Sequence, residues 1–292
     1  MKIFNSKYSL SIVLPAKNEA AGLKGFLPRL RAMYSDVEII VVDDGSDDNT
    51  AEVSRAHGVT VCSHPYSKGN GAAIKTGARA AKGDVLIFMD ADGQHSPDDI
   101  PRLLERLESG YDMVVGARND ASQASFSRFA GNKIYNKLAS FMVNHKIEDL
   151  TSGFRAVKRE KFLEFLYMLP NGFSYPTTIT MSFFRAGYTV AYVPIVAGKR
   201  DGNSHISLFR DGVKFLLIIF KVGTLYSPLK LFFPMSLGFF LTGGAYYIYT
   251  YITMGRFTNM SALLFISAML VFMLGLVSEQ VTTLLYKDSS NK

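Results

Sequence analysis

Two runs without a charged residue govern what the last quarter of this chain can become. Leu231 to Gly255 carries none, and after Arg256 neither does Phe257 to Ser278. At about 1.5 Å per residue each run is long enough, as a helix, to cross a hydrocarbon core of about 30 Å, a length at which buried core helices have usually ended. The expected organisation is a globular domain over residues 1–205, a juxtamembrane helix over 206–228, a transmembrane hairpin over 229–286 and a tail at 287–292. Lys214, Lys221 and Lys230 precede the first run, Arg256 alone sits in the connection, and Lys287 and Lys292 follow the second. That asymmetry predicts both termini on the cytosolic side of the plasma membrane. The opening Met1 to Tyr8 lacks the apolar stretch of a secretory signal, in keeping with a cytosolic globular domain.

Composition narrows the partners. The single cysteine, Cys62, cannot close an intrachain disulfide, which suits a reducing compartment. A net charge of +7 suits anionic lipid headgroups and anionic substrates. A nucleic-acid partner is not expected, because no basic run or nucleic-acid motif accompanies that charge.

Ahead of the apolar runs, strand and helix patterns alternate. Apolar strands are expected at Ser9 to Leu14, ended by Pro15, at Glu38 to Val42, at Val59 to Ser63, at Val85 to Met89 and at Met113 to Gly116. Helical segments separate them, among them Ala20 to Ser35 and a small-residue helix opened by Lys68-Gly69-Asn70-Gly71. This predicts an α/β fold, a mostly parallel sheet with helices on both faces. Chemistry in such a sheet gathers beyond the carboxyl ends of the strands. There stand Asn18 and Glu19, then Asp43 and Asp44, then Asp90-Ala91-Asp92-Gly93-Gln94. Asp90 and Asp92, two residues apart in extended chain, can face one hard cation, and Mg²⁺ or Mn²⁺ takes a few carboxylates and completes its shell with waters and substrate diphosphate. Loop solvation and helix capping are the competing readings of these acids, and capping accounts for part of Ser46 to Thr50. Lys68 is a candidate diphosphate contact, although the glycines beside it fit neither the Walker A nor the dinucleotide spacing. Arg118 and Arg128 are candidates for an anionic acceptor, since a guanidinium grips phosphate with a planar fork.

Taken together, Pro15-x-x-Asn18-Glu19, Val42-Asp43-Asp44-Gly45-Ser46, Lys68-Gly69, Asp90-Ala91-Asp92-Gly93-Gln94, Gly116-x-Arg118 and Asp149-x-x-Ser152-Gly153-Phe154-Arg155 resemble the inverting family 2 glycosyltransferases of GT-A type. The resemblance is to the polyprenyl-phosphate branch, which includes dolichol-phosphate mannose synthase and the enzymes making undecaprenyl-phosphate glucose. It covers residues 9 to 205, with Arg200-x-Gly202-x-Ser204 similar to that family's basic segment leading to the membrane. It implies a metal site of Asp90, Asp92 and Gln94, and a nucleotide pocket of Pro15, Asn18, Glu19, Asp43, Asp44, Lys68, Asp90 and Ala91. It further implies a lipid-phosphate clamp of Arg118, Arg128, Arg200 and Ser204, with Asp92, Arg118 and Asp149 in the catalytic set and Asp149 where the family has a proposed base. The implied reaction moves a hexose from a nucleotide sugar to a polyprenyl phosphate, and the two-run layout looks more like the UDP-glucose enzymes than the four-span GDP-mannose enzymes. Gly172 to Thr178 departs from the pattern, lacking the glutamate many relatives carry after the aromatic residue.

Other classes meet specific obstacles. A processive synthase needs a tryptophan-containing signature, and the chain has no tryptophan. A transferase onto a lipid hydroxyl would need Asp149 as a true base, and an inactive scaffold would not need its acidic pair. Arg210, Lys214 and Lys221 fall on one stripe of an otherwise apolar helix over 206–226, as in a helix lying among headgroups. Glycines within the first run allow close helix approach and self-association, while Glu279 is expected to snorkel towards the interface.

Overall fold

The computed structural model describes residues 7–118, 126–172, 175–196, 220, 223–224 and 226–287. The chain divides into two compact units, Met1–Ile206 and Ser207–Lys292.

The first unit is built on a seven-stranded sheet in the order β3-β2-β1-β4-β6-β5-β7. Its strands are β1 (Leu10–Ala16), β2 (Glu38–Asp43), β3 (Thr60–Ser63), β4 (Val85–Phe88), β5 (Met113–Arg118), β6 (Arg155–Lys158) and β7 (Val190–Ile195). All share one direction except β6, which runs antiparallel to both β4 and β5. The helices are α1 (Ala20–Met33), α2 (Thr50–Ala56), α3 (Asn70–Ala80), α4 (Ile100–Glu108), α5 (Phe126–Val143), α6 (Arg159–Leu163) and α7 (Tyr175–Arg185).

Each face of the sheet has its own cover. Ile12, Leu14, Ile39, Val41, Val85 and Ile87 point to one side, where Leu23, Leu27 and Leu30 of α1 and Ile100, Leu103, Leu104 and Leu107 of α4 meet them in one core. The helical residues recur every three or four positions, so a single stripe is buried. On the other face α3 comes close because it is made of small residues: a Cβ at Gly77 would lie 2.3 Å from Val13 Cγ1. Phe88 packs there against Phe162, the rings tilted by 41° with centroids 4.8 Å apart.

The expectation that Pro15 ends the first strand is corrected, for β1 continues to Ala16 with Pro15 opposite Val42. Backbone carbonyls of Ser9 and Val13 accept from β4, while that of Ala16 accepts from Asp44. By alternation Pro15 faces the β4 side, past the last β1–β4 pair at Val13 and Phe88. Its missing N–H therefore takes no bond from the ladder. Strands β6 and β7 are the strands the sequence did not reveal.

At the opposite edge from the acids, Asp112 ties three strands together. It accepts from Lys158 Nζ at 2.9 Å, Lys161 Nζ at 3.0 Å and the Thr189 N–H at 2.9 Å. Burial alone would raise its pKa, but these donors hold the carboxyl far below the ordinary range. The folded state therefore binds fewer protons than the unfolded chain as pH falls through about 4, so the contribution of Asp112 is whole above that pH and is lost below it. Asp112→Asn should lower stability by about 1–3 kcal/mol at pH 7, and the gap between its melting curve and that of the wild type should close as pH drops from about 5 to 2. A gap that stays constant with pH would refute this role.

The second unit contains α8 (Pro228–Met254) and α9 (Asn259–Lys287), two helices long and apolar enough to cross a membrane. Polar side chains join them. Ser236 Oγ donates to the Ala268 carbonyl at 2.8 Å, while Thr282 Oγ1 of α9 donates to the Thr224 carbonyl, ahead of α8, at 3.0 Å. Glu279 accepts from the Leu229 N–H at 3.2 Å, so it does more than snorkel. Ser227 makes no side-chain cap of α8, and the α9 carboxylate supplies that cap at the positive end of the helix dipole. Gly243 is taken up inside the hairpin, where a Cβ would lie 3.1 Å from Leu264 Cβ, whereas Gly238 and Gly244 have nothing within 4 Å. Residues 206–219 of the expected headgroup helix lie outside the described residues.

Candidate active site

The acidic pair follows β4 directly. Gly93 takes φ +72°, a left-handed conformation that suits glycine, and the turn returns so that the Gln94 N–H donates to Asp92 Oδ1 at 3.1 Å. His95 is buried beneath, accepting from the Asp90 N–H at 3.4 Å through Nδ1 and stacking on Phe154 at 5.1 Å. Asp90 lies against Gly153, where an added Cβ would come within 3.1 and 3.2 Å of its two carboxylate oxygens. Its side chain is 38% exposed, and Asp92 is partly exposed. Among the described residues no group of three His, Cys, Asp or Glu gathers. Two acids on an open turn fit Mg²⁺ or Mn²⁺, which leave most of their coordination to water and substrate oxygens. Ala91 is buried, and its carbonyl borders Gly22 of α1 together with Glu19 Oε2.

Because β6 runs against its neighbours, the segment entering it, 149–154, lies at the edge where β4 and β5 end. This brings Asp149 to Arg118, the last residue of β5. Arg118 donates to both carboxylate oxygens, Nε to Oδ2 at 2.8 Å and Nη2 to Oδ1 at 3.0 Å, and also to Thr151 Oγ1 at 2.6 Å. The Thr151 and Ser152 N–H groups donate to Oδ1 as well. Burial alone would raise the Asp149 pKa, but the hydrogen bonds and charge of Arg118 and the backbone donors outweigh it and the carboxyl sits below its ordinary range. Burial would likewise lower the Arg118 pKa, and Asp149 raises it. A carboxylate so engaged is a poor proton acceptor near neutral pH.

Beyond β2, Asp43 Oδ1 accepts from the Ser46 N–H at 3.0 Å. Asp44, expected to meet a nucleotide, accepts from His64 Nδ1 at 2.7 Å and from Ser67 Oγ, the Lys68 N–H and the Gly69 N–H at 2.8 Å each. Four donors fill its lone pairs, so in this geometry Asp44 shapes the 64–69 loop. His64 Nε2 reaches Thr76 Oγ1 of α3 at 2.9 Å. The loop lies tight on the β2 turn: at Gly45, φ +64°, a Cβ would fall 2.5 Å from the Tyr66 carbonyl carbon. Lys68 is exposed beside it, its Nζ 5.7 Å from the Tyr66 ring. Asn18, also left-handed at φ +56°, accepts from the Asp47 N–H at 2.8 Å, and the Glu19 N–H donates to Thr50 Oγ1 at 3.0 Å. Pro15, Asn18, Glu19, Asp43, Asp44 and Lys68 are thereby collected along the carboxyl ends of β1, β2 and β3. The backbone of Arg128 is in α5, but its side chain, and Arg200 and Ser204 altogether, lie outside the described residues.

Sequence reasoning missed His64, Tyr175 and the role of Arg155. His64 follows β3, Tyr175 opens α7 and Arg155 opens β6, and only the tertiary packing gives them the partners they hold.

Residues 11–166, more than half of the chain, match Glycosyl transferase family 2, and residues 227–284 match the GtrB C-terminal hairpin. A dolichyl-phosphate hexose transferase of Haloferax volcanii is 29% identical over 73% of this chain and 93% of its own. A polyprenol monophosphomannose synthase of Mycolicibacterium smegmatis is 30% identical over 65% and 77%. Among solved structures, glucosyl-3-phosphoglycerate synthase from Mycobacterium tuberculosis superposes with a TM-score of 0.60 at 23% identity, covering 74% of this chain and 79% of that one. The chain therefore belongs to glycosyl transferase family 2, with a GT-A fold and a GtrB-type C-terminal hairpin.

Proposed function

We propose that this glycosyltransferase moves a hexose from a nucleotide sugar to a polyprenyl phosphate at the cytosolic membrane face, inverting the anomeric carbon. What carries the reading is the acidic turn at Asp90 and Asp92 beside the Arg118–Asp149 pair, in a chain that ends in two membrane-length helices. Relatives are named for dolichyl, polyprenol and undecaprenyl phosphate. The M. tuberculosis synthase was crystallised with Mn²⁺ and UDP-glucose, and UDP-glucose is the favoured donor here.

The acceptor's phosphate oxygen would attack the anomeric carbon as the bond to the diphosphate breaks. A phosphate monoester is largely ionised near pH 7 and needs orientation more than a base. Asp149, already spent on Arg118, suits orientation: it holds the guanidinium plane fixed for an anion. That disfavours a lipid hydroxyl as acceptor, which would have to lose a proton. A divalent ion on Asp90 and Asp92 would neutralise the departing diphosphate. Pro15, Asn18, Glu19, Asp43, Lys68 and Ala91 would border the nucleotide, Gln94 would support the metal turn, and Arg128, Arg200 and Ser204 would complete the grip on the lipid phosphate. The 1–205, 206–228 and 229–286 segments would serve as catalytic domain, headgroup helix and anchor. Lysines outside the hairpin and Arg256 within its connection support cytosolic termini, and the outward-opening Gly238 and Gly244 are where copies would associate.

The test is a donor screen in detergent with undecaprenyl phosphate and Mn²⁺, measuring released UDP against released GDP. Lipid-dependent release of UDP is expected. Release only with a diacylglycerol or ceramide acceptor would favour the hydroxyl chemistry, and no release with any donor would favour a scaffold.

A further inference from the structure

Among the described residues Arg155 is the largest fully buried side chain, with no accessible surface, and it is a cation. Among the described residues no carboxylate lies within ion-pair distance of it. Its donors go instead to neutral oxygens: Nε to the Ser152 carbonyl at 2.8 Å, Nη2 to the Leu150 carbonyl at 3.3 Å and Nη1 to Thr180 Oγ1 of α7 at 2.6 Å. Burying an arginine this way is expensive, and apolar residues of similar volume often do as well or better for stability alone.

Its position gives the charge a use. The two carbonyls it holds belong to the turn whose N–H groups, at Thr151 and Ser152, bind Asp149. The next residue, Gly153, packs on the Asp90 carboxylate and gives its carbonyl to Tyr175 Oη at 3.3 Å. One side of the turn is thus gripped by Arg155 and the other faces both acids. The fork geometry of a guanidinium reaches two carbonyls at once, which a lysine ammonium on a flexible stem does not reproduce.

We propose that Arg155 is a positioning residue for the metal-binding acid: through the Leu150 and Ser152 carbonyls it fixes the 150–153 turn against Asp90 and so sets the carboxylate for a divalent ion. The inference rests on the metal role assigned above. It is tested on the full chain in detergent by titrating Mn²⁺ with UDP or GDP in excess and following the free-ion signal by electron paramagnetic resonance. Arg155→Met, close in volume, should keep a melting temperature near that of the wild type while weakening Mn²⁺ binding about 10- to 100-fold, the range seen when groups supporting metal ligands are lost. Its kcat should fall while the KM for the nucleotide sugar stays within about threefold, and Arg155→Lys should restore little. Wild-type Mn²⁺ binding in a folded Arg155→Met would overturn the proposal and leave the function standing, whereas no Mn²⁺ binding by the wild type with either nucleotide would remove the metal role itself. Should Arg155→Met not fold, Thr180→Val decides: it removes the acceptor that fixes Nη1 but keeps both carbonyls. Mn²⁺ binding weakened about threefold or more would support the proposal, and unchanged binding would overturn it.

Discussion

Asp92→Ala is expected to cut metal-dependent sugar transfer by at least about 10³-fold while leaving the protein folded. Removing a preorganised group aimed at developing charge commonly loses 10²- to 10³-fold, and a metal carboxylate also governs whether the ion stays. A 10³-fold loss is about 4 kcal/mol in the barrier. The fold should survive because the bond Asp92 accepts from the Gln94 N–H lies on a partly exposed turn where water can replace it. Diphosphate release at saturating Mn²⁺, alongside a thermal melt, is the measurement. Turnover within tenfold of the wild type would show that the acidic turn does not hold the ion.

Asp149→Ala should have the largest effect on stability. It would leave the Arg118 guanidinium, 28% exposed, without its bidentate partner, and breaking a buried pair from one side costs about 3–5 kcal/mol. For a domain of this size that is a fall in melting temperature of roughly 6–20 °C. Adding Arg118→Met should recover much of the loss, because the pair's net worth is smaller than the penalty of an unpaired charge. Asp149→Asn separates orientation from proton transfer. An orienting carboxylate predicts lower kcat at every pH with the shape of the pH profile kept, whereas a base predicts loss of the acid limb. Additive single-variant effects in the double variant would rule out the coupling.

The sequence made the front of the fold readable because β1, β2, β4 and β5 are apolar runs with acids or an arginine at their ends, and both period and punctuation agree. Strand β6 escaped because Arg155–Lys158 offers only Ala156 and Val157 as apolar positions and follows a polar cluster. Its insertion between β4 and β5 depends on partners distant in sequence. The site was legible as a set of residues but not as a set of bonds. Nothing local in Asp43-Asp44 distinguishes an acid capping Ser46 from one saturated by the 64–69 loop, and nothing in Asp149-x-x-Ser152 announces a bidentate pair with Arg118. The bond of Glu279 was illegible for the same reason, since its partner at Leu229 lies 50 residues away in the chain.

That carboxylate and the hydroxyl of Ser236 pin α8 and α9 at two heights. At about 1.5 Å per residue both helices are longer than a hydrocarbon layer of about 30 Å is thick. Neither can slip along the other without breaking these bonds, so if the pair spans a bilayer, a change in thickness would have to be met by both helices leaning as one body, and the Glu279 end would rise or sink with that slope.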